Sequence, residues 1–189
     1  DVTETSYPDP HLSGATLYRL AGAGGSDLIQ GADRRELLLG FGGDDLLIGG
    51  GATDVLEGGA GNDVLYANEI SDLPAILEGT EGDIVATRDL LTGGDGNDVL
   101  IGSTGAEEAL AGGSGDDTIY GGRGVDHIFG DRALSVSTHE WTVTLSYQYY
   151  NGIRFKSFQY WQLIPLTGSE QAGRDTIYAG EGDDVLLGG

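Results

Sequence analysis

The chain has 189 residues, of which 35 are glycine and none is cysteine, and its formal net charge at pH 7 is −22. A charge of this size disfavours binding to nucleic acid and to anionic membranes, which are themselves negative. The sequence contains no apolar stretch long enough to span a bilayer as a helix. The glycines lack the collagen triplet period, so the composition favours a turn-dense all-β protein over a disordered chain.

Residues 1–21 stand before the first repeat and contain Pro8 and Pro10. Proline cannot donate a backbone hydrogen bond and restricts the residue before it, so it interrupts regular structure. We interpret this stretch as an irregular leading segment or a junction to a preceding unit.

From residue 22 onward a nine-residue phrase recurs, close to Gly-Gly-x-Gly-x-Asp-x-(large aliphatic)-x. Its cleanest copies are 58–66, 93–101 and 112–120. A fixed short period is typical of a solenoid, in which one structural unit stacks on the next. The copies divide into a first block (22–66), a second block (93–129) and the start of a third (170–189), which we expect to continue in a longer protein. The eleven copies begin at Gly22, Gly31, Gly40, Gly49, Gly58, Gly93, Gly102, Gly112, Gly121, Glu170 and Ala179.

The front half of each phrase has the chemistry of an oxygen-coordinated cation site. Glycines at the first, second and fourth places permit positive φ and tight turning, so backbone carbonyls can converge on one point. Carbonyls and carboxylates together suit a hard cation such as calcium. Zinc fits poorly, because cysteine is absent and the three histidines, His11, His127 and His139, are scattered. Nine phrases carry a sixth-place aspartate: Asp27, Asp45, Asp54, Asp63, Asp98, Asp117, Asp126, Asp175 and Asp184.

The back half of each phrase reads as a short strand whose middle residue faces a core. Two phrases on opposite edges would make one 18-residue coil, so each carboxylate should face the one 18 positions later at roughly 4.8 Å. This spacing holds for Asp27 with Asp45, Asp45 with Asp63, and Glu36 with Asp54. The predicted core ladder consists of Ile29, Leu38, Leu47, Leu56, Leu65, Leu100, Ile119, Ile128, Ile177 and Leu186.

Three copies depart from the phrase. The second has Arg34 in place of glycine and Glu36 in place of aspartate, which predicts a weak or empty site. The copy at residue 102 is ten residues long with Glu107 near the sixth place, which predicts a bulge. The copy at residue 170 keeps only Gly173 and Asp175 of the pattern, so its partner turn must lie across an insertion or in a continuation of the chain.

Residues 67–92 interrupt the repeats and contain Pro74. Their length is close to three phrases, which leaves a degenerate coil open. The glycine and aspartate pattern fails, however, and this favours a loop or a short helix lying on the solenoid.

Residues 130–169 predict an inserted antiparallel β-hairpin. Two strand-like runs, 140–150 and 153–165, are joined by Asn151-Gly152, a strong signal for a two-residue turn. That turn pairs Leu145 with Phe158, Val143 with Tyr160, Gln148 with Phe155 and Thr142 with Trp161. The hairpin either folds back to cover a face of the solenoid or presents an aromatic surface to a neighbouring repeat, another subunit or a glycan.

The phrase resembles the RTX, or haemolysin-type, calcium-binding repeat. The resemblance implies an all-β, right-handed parallel β-roll that holds several Ca²⁺ ions between successive turns. It also implies that the earlier turn of a site gives its second- and fourth-place carbonyls and its aspartate, and the later turn its first- and third-place carbonyls and its aspartate. Carried onto this sequence, the implied ligands are Ala23, Gly25, Asp27, Gly40, Phe41, Gly42, Gly43, Asp45, Gly49, Gly51, Asp54, Gly58, Ala60, Asp63, Gly94, Gly96, Asp98, Gly112, Ser114, Asp117, Gly121, Arg123, Asp126, Asp175 and Asp184.

Two functions are compatible with these features. The first is a calcium-binding structural segment of a secreted extracellular repeat protein, with a role in assembly as a fibre or adhesin. The alternative is a calcium-dependent folding and type I secretion module of a secreted enzyme or toxin. A chain without cysteine fits an extracellular protein in which metal replaces disulfides. We expect no catalytic site, because the sequence has no nucleophile with histidine at a recognisable spacing and no phosphate loop with lysine.

Overall fold

The computed structural model describes residues 2–8, 16–70, 89–104, 108–134, 143–150, 153–160, 163–165 and 172–188. Throughout these residues the chain forms strands and turns, and none of them lies in a helix. The all-β prediction is therefore confirmed. The strands are β1 (Thr3–Pro8), β2 (Thr16–Ala21), β3 (Leu28–Gln30), β4 (Glu36–Gly42), β5 (Leu46–Ile48), β6 (Val55–Ala60), β7 (Val64–Tyr66), β8 (Leu90–Asp95), β9 (Val99–Ile101), β10 (Ala109–Ser114), β11 (Thr118–Gly124), β12 (His127–Phe129), β13 (Arg132–Leu134), β14 (Val143–Tyr150), β15 (Ile153–Tyr160), β16 (Leu163–Pro165), β17 (Thr176–Gly182) and β18 (Val185–Leu187).

Two sheets of mostly parallel strands form a solenoid. Sheet A has the order β1-β2-β4-β6-β8-β10-β12-β18, and sheet B has the order β17-β11-β9-β7-β5-β3. From β2 to β12 successive strands alternate between the sheets, and each strand from β2 to β10 pairs in parallel with the strand two places later. Strands β11 and β12 pair in parallel with β17 and β18, beyond the second insertion. One strand of each sheet with the turns beside it makes one coil, as the 18-residue period predicts.

The leading segment is more regular than the prolines suggested. Strand β1 pairs antiparallel with β2, with Thr3 opposite Ala21 and Pro8 opposite Thr16. Pro8 is tolerated because it is the last residue of an edge strand. Its missing N–H group therefore removes no hydrogen bond between interior strands of the sheet. The β1 strand therefore covers the first edge of sheet A.

The predicted core ladder lies between the sheets. Its members from Ile29 to Ile128 are fully buried, and each such aliphatic side chain contributes about 1.5–3 kcal/mol. Ile177 is only partly buried and Leu186 is 48% exposed, because β17 and β18 are the last strands of their sheets and have a neighbour on one side only. Leu91 and Leu110 also belong to this core, although the phrase did not identify them.

A second apolar layer lies on the other face of sheet A. Leu37 and Leu39 flank the core residue Leu38, so their side chains point away from the space between the sheets. The buried members of this layer are Ala21, Leu37, Leu39, Val55, Leu90, Ala109, Ala111 and Phe129. Strand β13 lies beside β8 and β10. Part of the second insertion therefore packs close to sheet A.

The interruption between the first and second blocks is shorter than the pattern indicated. Val55 pairs with Leu90 and Leu56 with Leu91, so the last residues of the 67–92 stretch belong to sheet A. The glycine pattern fails there, but Asp89 and Leu91 still occupy the carboxylate and core places of a phrase. Residues 71–88, where we expected a loop or short helix, lie outside the described residues.

The second insertion begins inside a turn. An added Cβ at Gly130 would lie 2.1 Å from Asp175 Oδ2, as one at Gly112 would from Asp117 Oδ2. Gly130 therefore occupies the place of a first-place glycine in the turn whose sixth-place carboxylate is Asp175, although the second insertion separates the two residues in sequence. Asp131 Oδ1 accepts a hydrogen bond of 2.5 Å from Gly173 N, which joins the two ends of the inserted segment.

Within the insertion β13 pairs antiparallel with β16, and β14 with β15. Val143 opposes Tyr160 and Leu145 opposes Phe158, as in the register derived from the sequence. The connecting residues 151–152 and the expected pair of Thr142 with Trp161 lie outside the described residues.

Candidate metal sites along the two turn edges

The sixth-place carboxylates form two rows, one on each side of the solenoid. We call the turns that lead from sheet A to sheet B edge 1, and the turns that lead back to sheet A edge 2. The carboxylates of edge 1 are Asp27, Asp45, Asp63, Asp98, Asp117 and Asp175. Those of edge 2 are Glu36, Asp54, Asp89, Glu108, Asp126 and Asp184.

On edge 1 each carboxylate after Asp27 accepts a hydrogen bond from the backbone of the turn before it. Asp27 N donates to Asp45 Oδ1 and Asp45 N to Asp63 Oδ1, both at 2.8 Å and both across 18 residues. The row continues across the insertions, because Asp63 N donates to Asp98 Oδ1 at 2.8 Å, although 35 residues separate them. Likewise Asp117 N donates to Asp175 Oδ1 at 3.2 Å across 58 residues. The predicted facing of carboxylates on this edge is confirmed.

Edge 2 follows the same rule. Glu36 N donates to Asp54 Oδ1 and Asp54 N to Asp89 Oδ1, both at 2.8 Å. Further along, Glu108 N donates to Asp126 Oδ1 at 3.1 Å. Asp126 N then donates to Asp184 Oδ1 at 3.0 Å. One oxygen of each of the four aspartates of this edge is thus held in place by the backbone.

The second oxygen of several carboxylates is buried and has no hydrogen-bond partner. These atoms are Oδ2 of Asp45, Asp63, Asp98 and Asp117 on edge 1, and Asp54 Oδ2 and Glu108 Oε2 on edge 2. Burying a polar atom without a partner is costly, and native proteins avoid it unless something else binds there. The repetition of this feature from turn to turn indicates a row of cation positions.

Several of the orphaned oxygens lie close to a carbonyl of the following turn. An added Cβ at Gly40 would lie 2.3 Å from Asp45 Oδ2 and 2.5 Å from Gly58 O. At Gly93 the corresponding distances are 2.2 Å to Asp98 Oδ2 and 2.5 Å to Gly112 O. A carboxylate oxygen and a first-place carbonyl therefore converge on one small space, which only glycine leaves open.

The second- and fourth-place carbonyls also point toward the next turn. An added Cβ at Gly59 would lie 2.3 Å from Phe41 O, and one at Gly61 would lie 2.2 Å from Gly43 O. Both glycines have positive φ, 114° at Gly59 and 139° at Gly61. Third-place carbonyls accept a backbone bond, as Ala60 O does from Gly43 N at 2.8 Å. A carbonyl has a second lone pair, so this bond leaves it able to bind a cation.

The donor set fits calcium. Two carboxylates and four carbonyls from a pair of turns supply about six oxygens, within the range that Ca²⁺ prefers. Among the described residues no three His, Cys, Asp or Glu side chains converge on one point, so backbone carbonyls must complete any such site. An oxygen-only set of this kind does not favour zinc.

Burial raises the pKa of most of these carboxyls, since the charged form is desolvated. It raises the pKa of Asp63 to about 6 and those of Asp98 and Asp117 to about 7. Burial and the neighbouring Asp89 charge raise the pKa of Asp54 to about 10. Asp27 is the opposite case, because the hydrogen bond that its Oδ2 accepts from Ala23 N lowers its pKa. Without a bound cation, most carboxyl groups of the two rows therefore lose their protons at a higher pH than a carboxyl group in water does.

Acid should partly replace metal in stabilising the chain. The pKa values of Asp63, Asp98 and Asp117 are raised on folding, so these groups favour the folded state when protonated. This contribution is complete below the unfolded pKa of about 3.9 and disappears as pH rises through about 6 to 7. In excess chelator we expect more β signal in circular dichroism at pH 5 than at pH 8. An unchanged spectrum between these two pH values would contradict the expectation.

Two carboxylates of the site were missed by the sequence pattern. Asp89 lies in the stretch assigned to an insertion, and Glu108 occupies the place that we gave to Glu107, which lies outside the described residues. Counting back four residues from the glycine of the next phrase finds both, because Asp89 precedes Gly93 and Glu108 precedes Gly112 by the same interval. Glu108 Oε1 accepts a bond from Ser103 Oγ, which its longer side chain makes possible.

The implied ligands occupy the turns in two different settings. On edge 1, Gly94, Gly96 and Ser114 lie in adjacent turns together with Asp98 and Asp117. On edge 2, Arg123 N donates to Ser103 O at 3.0 Å, and its side chain is paired with Glu181 at 3.2 Å. The remaining places, including Ala23, Gly25, Gly42, Gly49, Gly51 and Gly121, lie in the turns of the two edges. Their assignment as individual ligands stays a prediction.

Four segments of the chain, 39–69, 86–106, 106–132 and 171–189, match the family model described as the RTX calcium-binding nonapeptide repeat. No curated protein matches the chain, and no solved structure matches it. The described residues include no helix with the length and apolarity needed to cross a membrane.

Proposed function

This chain belongs to the RTX calcium-binding nonapeptide repeat family, and we propose that it is a calcium-stabilised structural segment of a secreted extracellular repeat protein. The repeats bind calcium as a family property. The proposal extends this to a right-handed β-roll with several Ca²⁺ ions along its turn edges. The observation that carries it is the row of buried carboxylate oxygens without a partner, of which those of Asp45, Asp54 and Asp98 lie beside a carbonyl of the next turn.

In each site the chain would contribute rigid, preformed oxygen ligands. Between the turns of Asp45 and Asp63, the ligands would be Phe41 O, Gly43 O, Gly58 O and Ala60 O with the two carboxylates. A bound Ca²⁺ would supply the positive charge that neutralises carboxylates facing each other across one strand spacing. The backbone bonds to Oδ1 already orient these carboxylates, so binding requires little rearrangement of the folded turns.

A comparison of two variants tests the metal sites. Asp45 has a facing carboxylate both before and after it, so Asp45→Ala should damage two sites. Loss of even an outer-shell partner typically weakens metal binding about 10- to 100-fold, so we expect at least a tenfold higher calcium midpoint for Asp45→Ala. Glu36→Ala should shift it much less, because both oxygens of Glu36 are bonded within the chain. Calcium titrations followed by circular dichroism measure both midpoints, and equal midpoints would refute the edge assignment.

We propose extracellular localisation because calcium is abundant outside cells and scarce in the cytosol. Folding gated by the metal would then follow export. The alternative function, a folding and type I secretion module of an enzyme or toxin, shares the same sites. The inserted segment favours a structural role, because 130–171 holds eight of the fifteen aromatic residues and is close to electrically neutral within an acidic chain.

The inserted β-hairpin is proposed to mediate self-association or contact with a neighbouring repeat. Strands β13 and β16 pair at its base, where β13 lies beside sheet A, whereas β14 and β15 pair with each other further out in the segment. Replacing residues 143–160 with a Gly/Ser linker keeps the base strands and removes the β14–β15 unit. Calcium-dependent folding should persist and association, followed by analytical ultracentrifugation, should fall. Undiminished association would instead indicate that the hairpin folds back and covers a face of the solenoid in the same chain.

A further inference from the structure

The first turn of edge 2 is held by a cation that belongs to the chain. Arg34 Nε donates to Glu36 Oε1 at 2.8 Å, and Arg34 Nη2 donates to Glu4 Oε1 at 3.0 Å. Its guanidinium carbon also lies 3.8 Å from the centre of the Tyr18 ring. One side chain therefore links β1, which carries Glu4, to β2 and to the first carboxylate of edge 2.

Glu36 differs from the carboxylates that follow it on the same edge. Its Oε2 accepts a bond from Ala32 N at 2.7 Å, so both of its oxygens have partners within the chain. Asp54, in the next turn, has an Oδ2 that is buried without one. The guanidinium bonds Oε1, the oxygen that corresponds to the Oδ1 atoms to which earlier turns donate backbone N–H groups elsewhere in the rows.

The backbone of this turn is also unlike that of a metal-binding turn. Fourth-place glycines have positive φ, for example 112° at Gly43 and 139° at Gly61. In the part of the chain that the structure describes, only Phe41 and Ala52 combine a side chain with positive φ, so Arg34 does not. The turn therefore lacks the backbone conformation with which Gly43 directs its carbonyl toward the next turn.

We propose that Arg34 gives the first turn of edge 2 a built-in positive charge where the other turns have a calcium site, and that it anchors β1 to the solenoid. Resting on the proposed calcium function, this makes edge 2 begin with a position that needs no metal, whereas the first phrase of edge 1 keeps the fourth-place glycine and the sixth-place aspartate, Gly25 and Asp27. The ion pair joins the fully buried Glu36 side chain to the Arg34 side chain, which is 38% exposed. An arginine keeps its charge at every relevant pH, so the anchor is permanent.

The double variant Arg34→Gly/Glu36→Asp restores the glycine and the aspartate of the phrase. If the proposal is right, this variant gains a calcium site at the first turn of edge 2. Calorimetric titration and elemental analysis of the full chain after gel filtration should show one more Ca²⁺ per chain than in the wild type. An equal number of ions in a variant with the wild-type spectrum would overturn the proposal. A wild type that binds no calcium would instead overturn the proposed function.

The anchor is tested separately by Arg34→Gln, which removes the charge and keeps much of the length. Hydrogen exchange of the β1 amides in the folded full chain should become about tenfold faster, since one charge-assisted contact to β1 is lost. Arg174→Gln is the matched control, because it removes an exposed ion pair with Asp116 at the other end of the solenoid. Unchanged β1 exchange in Arg34→Gln, or equal acceleration in both variants, would overturn the anchor. This arm remains decisive if the double variant does not fold.

Discussion

Removing calcium at pH 8 should convert the chain from a β-rich fold to a largely unfolded state. Facing carboxylates such as Asp45 and Asp63 would then be ionised without a counter-ion, and two like charges about 5 Å apart repel by roughly 3 kcal/mol at an effective dielectric constant near 20. Strands of three residues bury too little to offset both this repulsion and the lost conformational entropy. Circular dichroism in excess chelator should therefore show a coil-like spectrum.

Adding millimolar calcium to the same sample should restore the β spectrum. Magnesium serves as the matched control, because it demands a compact octahedron of ligands and gives up its water reluctantly. Limited proteolysis gives a second measure of folding. A chain that stays β-rich and protease-resistant in chelator at pH 8 would show that its core suffices and that calcium is not required.

The second large effect is expected from Gly96→Ala. Gly96 has a φ of 141°, and an added Cβ would lie 1.7 Å from Gly61 O and 2.6 Å from Gly61 C. Both atoms belong to the backbone and cannot rotate away, so the turns must separate. We expect a loss of at least about 2 kcal/mol. For a chain of this length each kcal/mol lowers the Tm by about 2–4 °C, so Tm in saturating calcium should fall by about 4–8 °C or more.

Gly24→Ala is the control for this substitution. Gly24 has an ordinary φ, and an added Cβ would meet no atom within 4 Å. The alanine should therefore leave stability unchanged or raise it by up to about 1 kcal/mol, through reduced freedom of the unfolded chain. Similar Tm values for the two variants would mean that the close approach of successive turns does not limit stability.

The sequence predicts most of the repeating architecture because one short pattern serves several physical requirements. A glycine permits the positive φ, a carboxylate at the sixth place accepts the N–H of the preceding turn, and an aliphatic residue fills the core. All three fall in a fixed order, so Asp45 or Leu47 could be placed from the phrase alone. The backbone bond to Oδ1 gives the pattern its register and explains the 18-residue spacing.

Other features depend on contacts that a local pattern does not contain. Asp89 was missed because its turn lacks the glycines, although its carboxylate still accepts the bond from Asp54 N. The phrase with Asp175 could not be completed from the sequence, because Gly130 and Asp175 belong to one turn but are separated by the second insertion. The bonds from Arg34 to Glu36 and Glu4 join residues from two strands and a turn, and only the fold brings Glu4 to that place.

The interrupted turns have a consequence for the order in which the solenoid assembles. A site between Asp27 and Asp45 closes a loop of 18 residues, whereas one between Asp117 and Asp175 closes 58. Loop-closure entropy makes the longer closure costlier by about 1 kcal/mol, and it slows contact formation in the same direction. The uninterrupted coils of residues 16–66 should therefore saturate at lower calcium and nucleate the fold. The coil beyond the second insertion should join last. The ordered part of the chain should therefore lengthen progressively as the calcium concentration rises.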